Sequence, residues 1–395
     1  MLVFKVKDFF KFLSALLISK LLKLFGGDSD IWIVTERPFE AKDNGFHFFK
    51  YMREHHADRK VYYAIEKNAK HLNRIAPLGN IIYFNSFKHY LYACSATKLI
   101  GAFNPVGIPD SISFYKFANL ITGKKVFLQH GLTKEQVKSL TYAQTNFDLF
   151  CCGAEPEYNF VRGSFGYPKG IVKYLGLCRY DNLDSHTKKK QILLMPTWRQ
   201  FLPSQTFQNP VKDIAEIEQE FLQSDYYKHY NSLLSNDVII TFLEGHGYTL
   251  IFYLHHELQR FTPLFKGHHK NIIMADDSNY DVQVLLKESE ILLTDYSSVA
   301  FDFAYMEKPL IYYQFDEMQY YNSHYARGFF NYDTMGFGVV VHNQTHLVEI
   351  LLQHFDKNEN HFYNNAKYIR RVREFFTYRD TDNCERTYHA INDIK

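Results

Sequence analysis

Several short stretches of this 395-residue sequence carry residue types that do chemistry together. Gln129-His130-Gly131 closes an apolar run, Lys125-Val-Phe-Leu-Gln129. An imidazole there titrates near neutrality and can take a proton from a hydroxyl, and the glycine permits a tight turn with close ligand approach. Asp295-Tyr296-Ser297-Ser298 follows the apolar run Ile291–Leu293 and precedes a helical stretch, Val299-Ala-Phe-Asp302-Phe-Ala. Two hydroxyls and free N–H groups at a helix start suit a phosphate, with a plain serine N-cap as the alternative. Pro196-Thr197-Trp198-Arg199 follows another strand, and Arg199 is placed to meet a phosphate or carboxylate with two parallel bonds. His255-His256 ends a further strand, where alternation points neighbours to opposite faces, so at most one of the two is expected to look into the cleft. Glu36, Asp43 and Asn44 come after the first strand and are expected to position an acceptor.

Other chemistries leave no trace. There is no Gly-Lys-[Ser/Thr] phosphate loop, no GxGxxG and no HExxH, and Asp276-Asp277 lacks Asp-x-Asp spacing, so no bound metal and no cofactor is expected. Cys94, Cys151, Cys152, Cys178 and Cys384 contain no CxxC pair and are expected as buried free thiols.

Such residues need strand ends to hold them. Apolar, β-rich runs begin at Ile31, Val61, Ile81, Lys98, Lys125, Phe147 and Val172, separated by helical or polar segments. After a polar stretch, Asp181 to Lys190, expected as a linker, the pattern restarts at Ile192, Thr249, Asn271, Ile291 and Leu310, with a helix over 213–234. Short apolar strands between helices imply parallel sheets buried on both faces, with ligands at their carboxyl ends. The expected fold is α/β: two Rossmann-like domains facing across a cleft. The expected division is 1–27, an amphipathic helix; 28–185, the first domain; 186–360, the second; and 361–395, a helical tail packing back on the first.

The first residues read MLVFKVKDFFKFLSALLISKLLKLF. Lys5, Lys7, Lys11, Lys20 and Lys23 against Asp8 make this segment basic, and Phe9, Phe12, Leu13, Leu16, Leu17, Leu21 and Leu24 recur at helical steps. Its longest uncharged run, Phe12 to Ser19, falls far short of the about 20 residues that span a bilayer, and no small-residue cleavage site follows. A helix lying in the headgroup layer is expected, an ordinary docked first helix being the alternative. The whole chain carries only +2, with 45 Lys and Arg against 43 Asp and Glu, which excludes a polycation built to coat nucleic acid.

Taken in order, TERPFEAKDNGFHFFKYMRE (35–54), VFLQHGLTK (126–134), LLMPTWR (193–199), LIFYLHH (250–256) and LLTDYSSVAFDFAYMEKPLIYY (292–313) resemble the CDP-glycerol glycerophosphotransferase family, the primases and polymerases of teichoic-acid-type polymers and related capsules. The resemblance implies a glycosyltransferase-B-like fold with the nucleotide in the second half and work at the inner membrane face. It also implies transfer of a polyol phosphate from a CDP-polyol to a polymeric or lipid-linked acceptor, with no nucleic-acid partner. By the same resemblance His130 is the base and His255 the second family histidine. Thr197, Trp198, Arg199, His256, Asp295, Tyr296, Ser297, Ser298 and Asp302 fall on the donor segments; the residues expected on the acceptor side from their positions after strands are Glu36, Asp43, Asn44 and Gly131. The chain departs from the family's Lys-x-His-Pro-like strand end, carrying Tyr253 and His256 at the lysine and proline positions. A sugar transferase of the same architecture is the alternative reading.

Overall fold

The computed structural model describes residues 6–25, 30–113, 116–183, 188–203, 213–323, 326–355 and 366–394. Lys5, Gly26-Gly27, positions 184–187 of the expected linker and positions 360–365 of the expected tail helix lie outside these.

The chain forms two compact units. The first holds Met1–Leu132, Val137–Asn182 and Thr377–Lys395; the second holds Thr133–Gln136 and Leu183–Phe376. Seven strands build the sheet of the first unit: β1 (Ile31–Thr35), β2 (Lys60–Ile65), β3 (Ile81–Tyr83), β4 (Lys98–Gly101), β5 (Lys124–Phe127), β6 (Leu149–Cys152) and β7 (Val172–Tyr174). They lie in the order β3-β2-β1-β4-β5-β6-β7, all parallel. Six build the second: β8 (Lys189–Leu194), β9 (Thr249–Tyr253), β10 (Ile272–Ala275), β11 (Ser289–Thr294), β12 (Leu310–Tyr313) and β13 (Val339–Val341), in the order β10-β9-β8-β11-β12-β13, again all parallel.

Both sheets are buried on both faces, which is why their strands are continuously apolar. In β1 the alternation of side chains sends Ile33 into one layer, with Phe12 and Tyr90, and Trp32 and Val34 into the other, with Phe48 and Met52. In each sheet the order reverses once, between β1 and β4 and between β8 and β11. The carboxyl ends of such strand pairs form the crevice where α/β folds bind ligands. In the second unit that crevice brings Thr197–Arg199, after β8, beside Asp295–Ser298, after β11; in the first it brings Glu36, after β1, beside Phe103, after β4, with His130 after the adjacent β5.

Helix Val6–Leu24 divides its apolar residues between two faces. Phe12, Ala15 and Leu16 are buried in the core of the first unit, and Phe9 and Phe12 meet Phe117 at 5.6 and 5.4 Å between ring centroids. Phe10, Leu13, Leu17, Leu21 and Leu24 are exposed. Among the described residues no helix is long and apolar enough to cross a membrane.

Some expectations change. The helix expected over 213–234 is two, Ile214–Gln223 and Asp225–Leu234, because Ser224 adopts extended backbone and its hydroxyl accepts from the Tyr227 N–H (3.1 Å) to start the second. The polar stretch from Asp181 joins the two units, the division falling between Asn182 and Leu183, but both its ends are structured. Asp181 lies in a 3₁₀ turn, Cys178–Asn182, where its carboxylate accepts the Asn383 N–H (2.9 Å) and the Cys384 N–H (2.8 Å), and β8 already begins at Lys189. These bonds hold helix Asn383–Asn392 on the first unit. Helix Ala366–Phe375 stays instead with the second, where Phe375 packs on Phe301, Phe330 and Phe337. All five cysteines are buried and unpaired.

Candidate active-site residues

In the first unit the centre is His130. The residue before it, Gln129, has φ +62°, a left-handed conformation that a non-glycine residue adopts only when its surroundings hold it there. Its buried side-chain amide donates to the Cys151 carbonyl (2.6 Å) and to Glu157 Oε1 (3.0 Å), and Glu157 Oε2 accepts the Gly153 N–H (2.7 Å). Asn44, fully buried, donates to the carbonyls of Leu128 (3.2 Å) and Gln129 (2.8 Å) and accepts the Arg179 N–H (3.0 Å). The chain entering His130 is therefore clamped from two sides.

His130 itself is exposed, with its ring stacked on Phe103 (centroids 4.2 Å apart, 11° between planes) and Arg37 lying over the far ring. Its Nδ1 lies 3.0 Å from the Ala102 carbonyl. A carbonyl only accepts, so Nδ1 carries the proton and Nε2 keeps the lone pair. Surrounding protein holds the imidazole pKa below its ordinary value, the Asp43 charge working the other way. Near neutral pH this histidine is a neutral base with its acceptor nitrogen defined.

Glu36 and Asn44 do not reach solvent as acceptor ligands would. Glu36 is buried, and its carboxylate accepts main-chain N–H groups of Phe46 (2.7 Å), Asp43 (2.9 Å) and Lys42 (2.9 Å). Burial, then the neighbouring Asp43 charge, push its pKa up to about 7 against those three donors. A Cβ on Gly45 would stand 2.9 Å from Glu36 Cγ, so glycine is what lets the helix start press on this side chain. Asp43, half-buried, caps helix Asn44–His55 through the Asn44 N–H (2.7 Å) and pairs with Arg179 (2.8 Å). Of the four expected acceptor residues only Asp43 and Gly131 are partly open.

In the second unit three expected donor ligands prove to be internal. Arg199 has 0% exposure; it meets Asp316 through Nε (2.7 Å) and Nη2 (3.1 Å), Asp295 Oδ2 through Nη1 (2.9 Å) and the Thr197 carbonyl (2.8 Å), within a cage of Tyr226, Tyr296 and Tyr320 rings. Asp295 accepts the N–H groups of Thr197 (2.8 Å) and Tyr296 (2.6 Å) and the Tyr230 hydroxyl (3.2 Å); burial raises its pKa and Arg199 opposes the rise. Tyr296 stacks on Tyr320 at 3.8 Å, buried. Thr197 and Asp302 are buried too. These groups brace the crevice from below, and the expectation that Arg199, Asp295 and Tyr296 touch a ligand gives way to that role.

Ser298, Trp198, His255 and His256 are partly exposed, and Ser297 beside them is buried like Thr197. Ser298 occupies the N-cap of the seven-residue helix Val299–Tyr305 without a side-chain cap bond, and the Ser297 hydroxyl accepts weakly from the Val299 N–H (3.4 Å). The two histidines lie beyond β9, which ends at Tyr253, so strand alternation does not separate them: His255 caps the 3₁₀ helix His256–Leu264 and the two rings are 4.3 Å apart. His256 Nε2 stands 3.2 Å from Glu257 Oε1, and His255 stacks at 6.2 Å beside Trp198. Lys134, from the short segment assigned to this unit, is buried against Glu135 and Tyr332, and burial pulls its pKa down to about 7. Among the described residues no group of three or more His, Cys, Asp or Glu is arranged to hold a metal ion.

Sequence reasoning missed Gln129, Glu157, Arg179 and Asp316. Asp316 had a signal, since it lies just past the end of a strand next to β11; the others act through main-chain bonds that no spacing announces.

A family model described as CDP-glycerol:poly(glycerophosphate) glycerophosphotransferase matches residues 23–393. The minor teichoic acid biosynthesis protein GgaB of Bacillus subtilis (strain 168) is 33% identical over 371 residues, 92% of this chain and 40% of that protein. The teichoic acid glycerol-phosphate primase of the same organism is 26% identical over 193 residues, 47% of this chain and 44% of that one. The chain thus spans about two fifths of the length of the curated relatives it matches. A structure of the wall teichoic acid polymerase TagF aligns over 99% of this chain and 98% of its own, with TM-score 0.64 and 16% identity. A UDP complex of S. aureus MnaA aligns over 92% and 95%, with TM-score 0.54 and 11% identity. At such identities these likenesses show the shared two-domain α/β fold.

Proposed function

Because the chain belongs to the CDP-glycerol:poly(glycerophosphate) glycerophosphotransferase family, we propose that it transfers glycerol phosphate, or a related polyol phosphate, from a CDP-polyol to a hydroxyl of a membrane-associated polymer or lipid-linked acceptor. The setting is teichoic-acid-like or capsular polysaccharide synthesis. The observation that carries the reading is the state of His130, an exposed imidazole whose Nδ1 is committed to Ala102 and whose Nε2 is left to accept a proton.

An acceptor hydroxyl is a weak nucleophile. As its oxygen bonds to the β-phosphorus of the donor, Nε2 of His130 takes its proton, and the bond from that phosphorus to the bridging oxygen breaks to release CMP. Base assistance of this kind gives about 10²–10⁴-fold. Ser297 and Ser298 supply hydroxyl donors to the diphosphate, and His255 or His256 a further one, stabilising charge on the leaving CMP. Arg199 and Asp295 hold that crevice in shape. The donor brings its own leaving group, so no organic cofactor enters. Helix Val6–Leu24, with its exposed apolar face and lysines, rests on the inner membrane surface, placing the enzyme peripherally where its acceptor is.

Incubating the purified chain with CDP-glycerol, CDP-ribitol and a panel of nucleotide sugars tests the reading. Acceptor-dependent CMP release from a CDP-polyol supports it. Turnover with nucleotide sugars alone overturns it in favour of a sugar transferase.

A further inference from the structure

A second basic centre lies at the opposite end of the first unit's sheet from His130. Around a cavity of about 430 Å³ stand Lys98 and Lys124, at the amino-terminal ends of β4 and β5, Trp32 of β1, and Lys23 from the last turn of helix Val6–Leu24. The parallel register pairs Trp32 with Lys98 and Lys98 with Lys124, so the three form one row on one face of the sheet. Like charges at directly paired positions repel.

Among the described residues the nearby carboxylates, Asp148 and Asp30, act on Lys98 through their charge but are bonded to other groups. Asp148 pairs with Lys124 (3.3 Å) and also accepts the Lys125 N–H (2.8 Å). Asp30 is taken up by Arg59 (2.9 Å), the Trp32 indole N–H (3.0 Å) and the Thr97 hydroxyl (2.6 Å). Lys98 is more than nine-tenths buried, and among the described residues its ammonium donates only to the main-chain carbonyl of Ile394. Among the described residues the other two of its three N–H donors have no partner, and burial holds its pKa below the usual lysine value. A buried, under-bonded ammonium is costly unless something anionic completes it.

We propose that this cavity binds a phosphate group, with Lys98 and Lys124 as its donors and Lys23 at its mouth. The volume exceeds what one phosphate fills and leaves room for the ester it is attached to. The source is either a soluble phosphate ester or the headgroup of an anionic lipid. Lys23 favours the lipid, because it lies in the last turn of a helix whose Leu17, Leu21 and Leu24 are 56, 52 and 79% exposed. The site is independent of the transfer reaction proposed above.

The chain has two tryptophans, Trp32 at this cavity and Trp198 at the other centre, so two indole N–H resonances report the two places separately. Inorganic phosphate, glycerol 3-phosphate and vesicles of phosphatidylglycerol or phosphatidylcholine are titrated against the full chain saturated with CDP-glycerol. Movement of the Trp32 signal by the soluble probes assigns a soluble ester. Co-sedimentation with phosphatidylglycerol but not phosphatidylcholine vesicles, with soluble probes silent, assigns the lipid. In either case Lys98→Met is expected to weaken binding about tenfold or more, as for loss of a charged hydrogen bond, with a smaller loss in Lys23→Gln, whose change lies on the exposed helix. A Trp32 signal unmoved by every phosphate probe and no preference for phosphatidylglycerol, or binding unchanged in both variants, overturns the proposal.

Discussion

Arg199 and Asp316 meet side-on inside the second unit, Nε to Oδ2 at 2.7 Å and Nη2 to Oδ1 at 3.1 Å, with no part of Arg199 exposed. They arise after β8 and β12, strands separated by β11, so the pair ties two loops together beneath the one that carries Asp295 and the serines. Removing one partner of a buried charge pair costs about 3–5 kcal/mol because the other charge is left unanswered. Arg199→Ala is therefore expected to lower the unfolding midpoint sharply in denaturant titration. A variant that unfolds like wild type but has lost donor affinity would return Arg199 to a ligand role.

The serines answer differently. Ser298 makes no side-chain cap bond and Ser297 only a long one, so little of the fold depends on either hydroxyl. Ser297→Ala and Ser298→Ala are each expected to raise the Kd for CDP-glycerol about tenfold, as for a hydrogen bond to a charged group, with stability within about 0.5 kcal/mol of wild type. Calorimetric titration and thermal unfolding on the same samples read both. Unchanged donor affinity in the two variants contradicts the assignment.

Much of this architecture was legible in the residues. The runs at Ile31, Lys98 and Ile291 announced strands because parallel strands buried on both faces must be continuously apolar, and that pattern needs no tertiary information. The positions of His130 and Ser297-Ser298 followed from where such strands end. Burial of individual polar groups did not follow. Arg199 and a surface arginine look alike in sequence, and only the cage of Tyr226 and Tyr320 from two helices and Tyr296 from the turn after β11 decides the matter. Nor does spacing reveal that Asp181, at the start of the stretch that joins the two units, accepts N–H groups from Asn383 and Cys384, some 200 residues on. The break at Ser224 had its signal, a serine followed by Asp225, inside a segment whose helical period hid it.

Asn44 acts on His130 through the chain that leads into it. Asn44→Ala removes donors to Leu128 and Gln129 and an acceptor for Arg179, and is expected to cost about 1–3 kcal/mol of stability. A displacement of about 1 Å at the base lowers turnover up to about 100-fold. The expected signature is a fall in kcat with donor Kd unchanged. The acid limb of the rate profile should stay where wild type has it, below pH 6.5, because the groups that depress the His130 pKa remain. Below that limb the imidazole is protonated and the rate falls; above it the base is free. A donor Kd that rises with the fall in kcat would make Asn44 a ligand instead.

Leu17 and Leu21 face outward from helix Val6–Leu24 and add nothing to the core. Leu17→Glu with Leu21→Glu is expected to reduce sedimentation with anionic vesicles severalfold while thermal stability holds, since polar substitutions on an exposed face cost within about 0.5 kcal/mol. Vesicle binding equal to wild type would remove the membrane role from this helix.

The most direct test of the whole account is single-turnover CMP release by His130→Ala at saturating CDP-glycerol and acceptor, alongside calorimetric binding of the same donor. The expected result is release slowed by about 10²–10⁴-fold with donor affinity close to wild type. Release at the wild-type rate, or an equal loss of donor binding, would contradict His130 as the base and with it the proposed transfer.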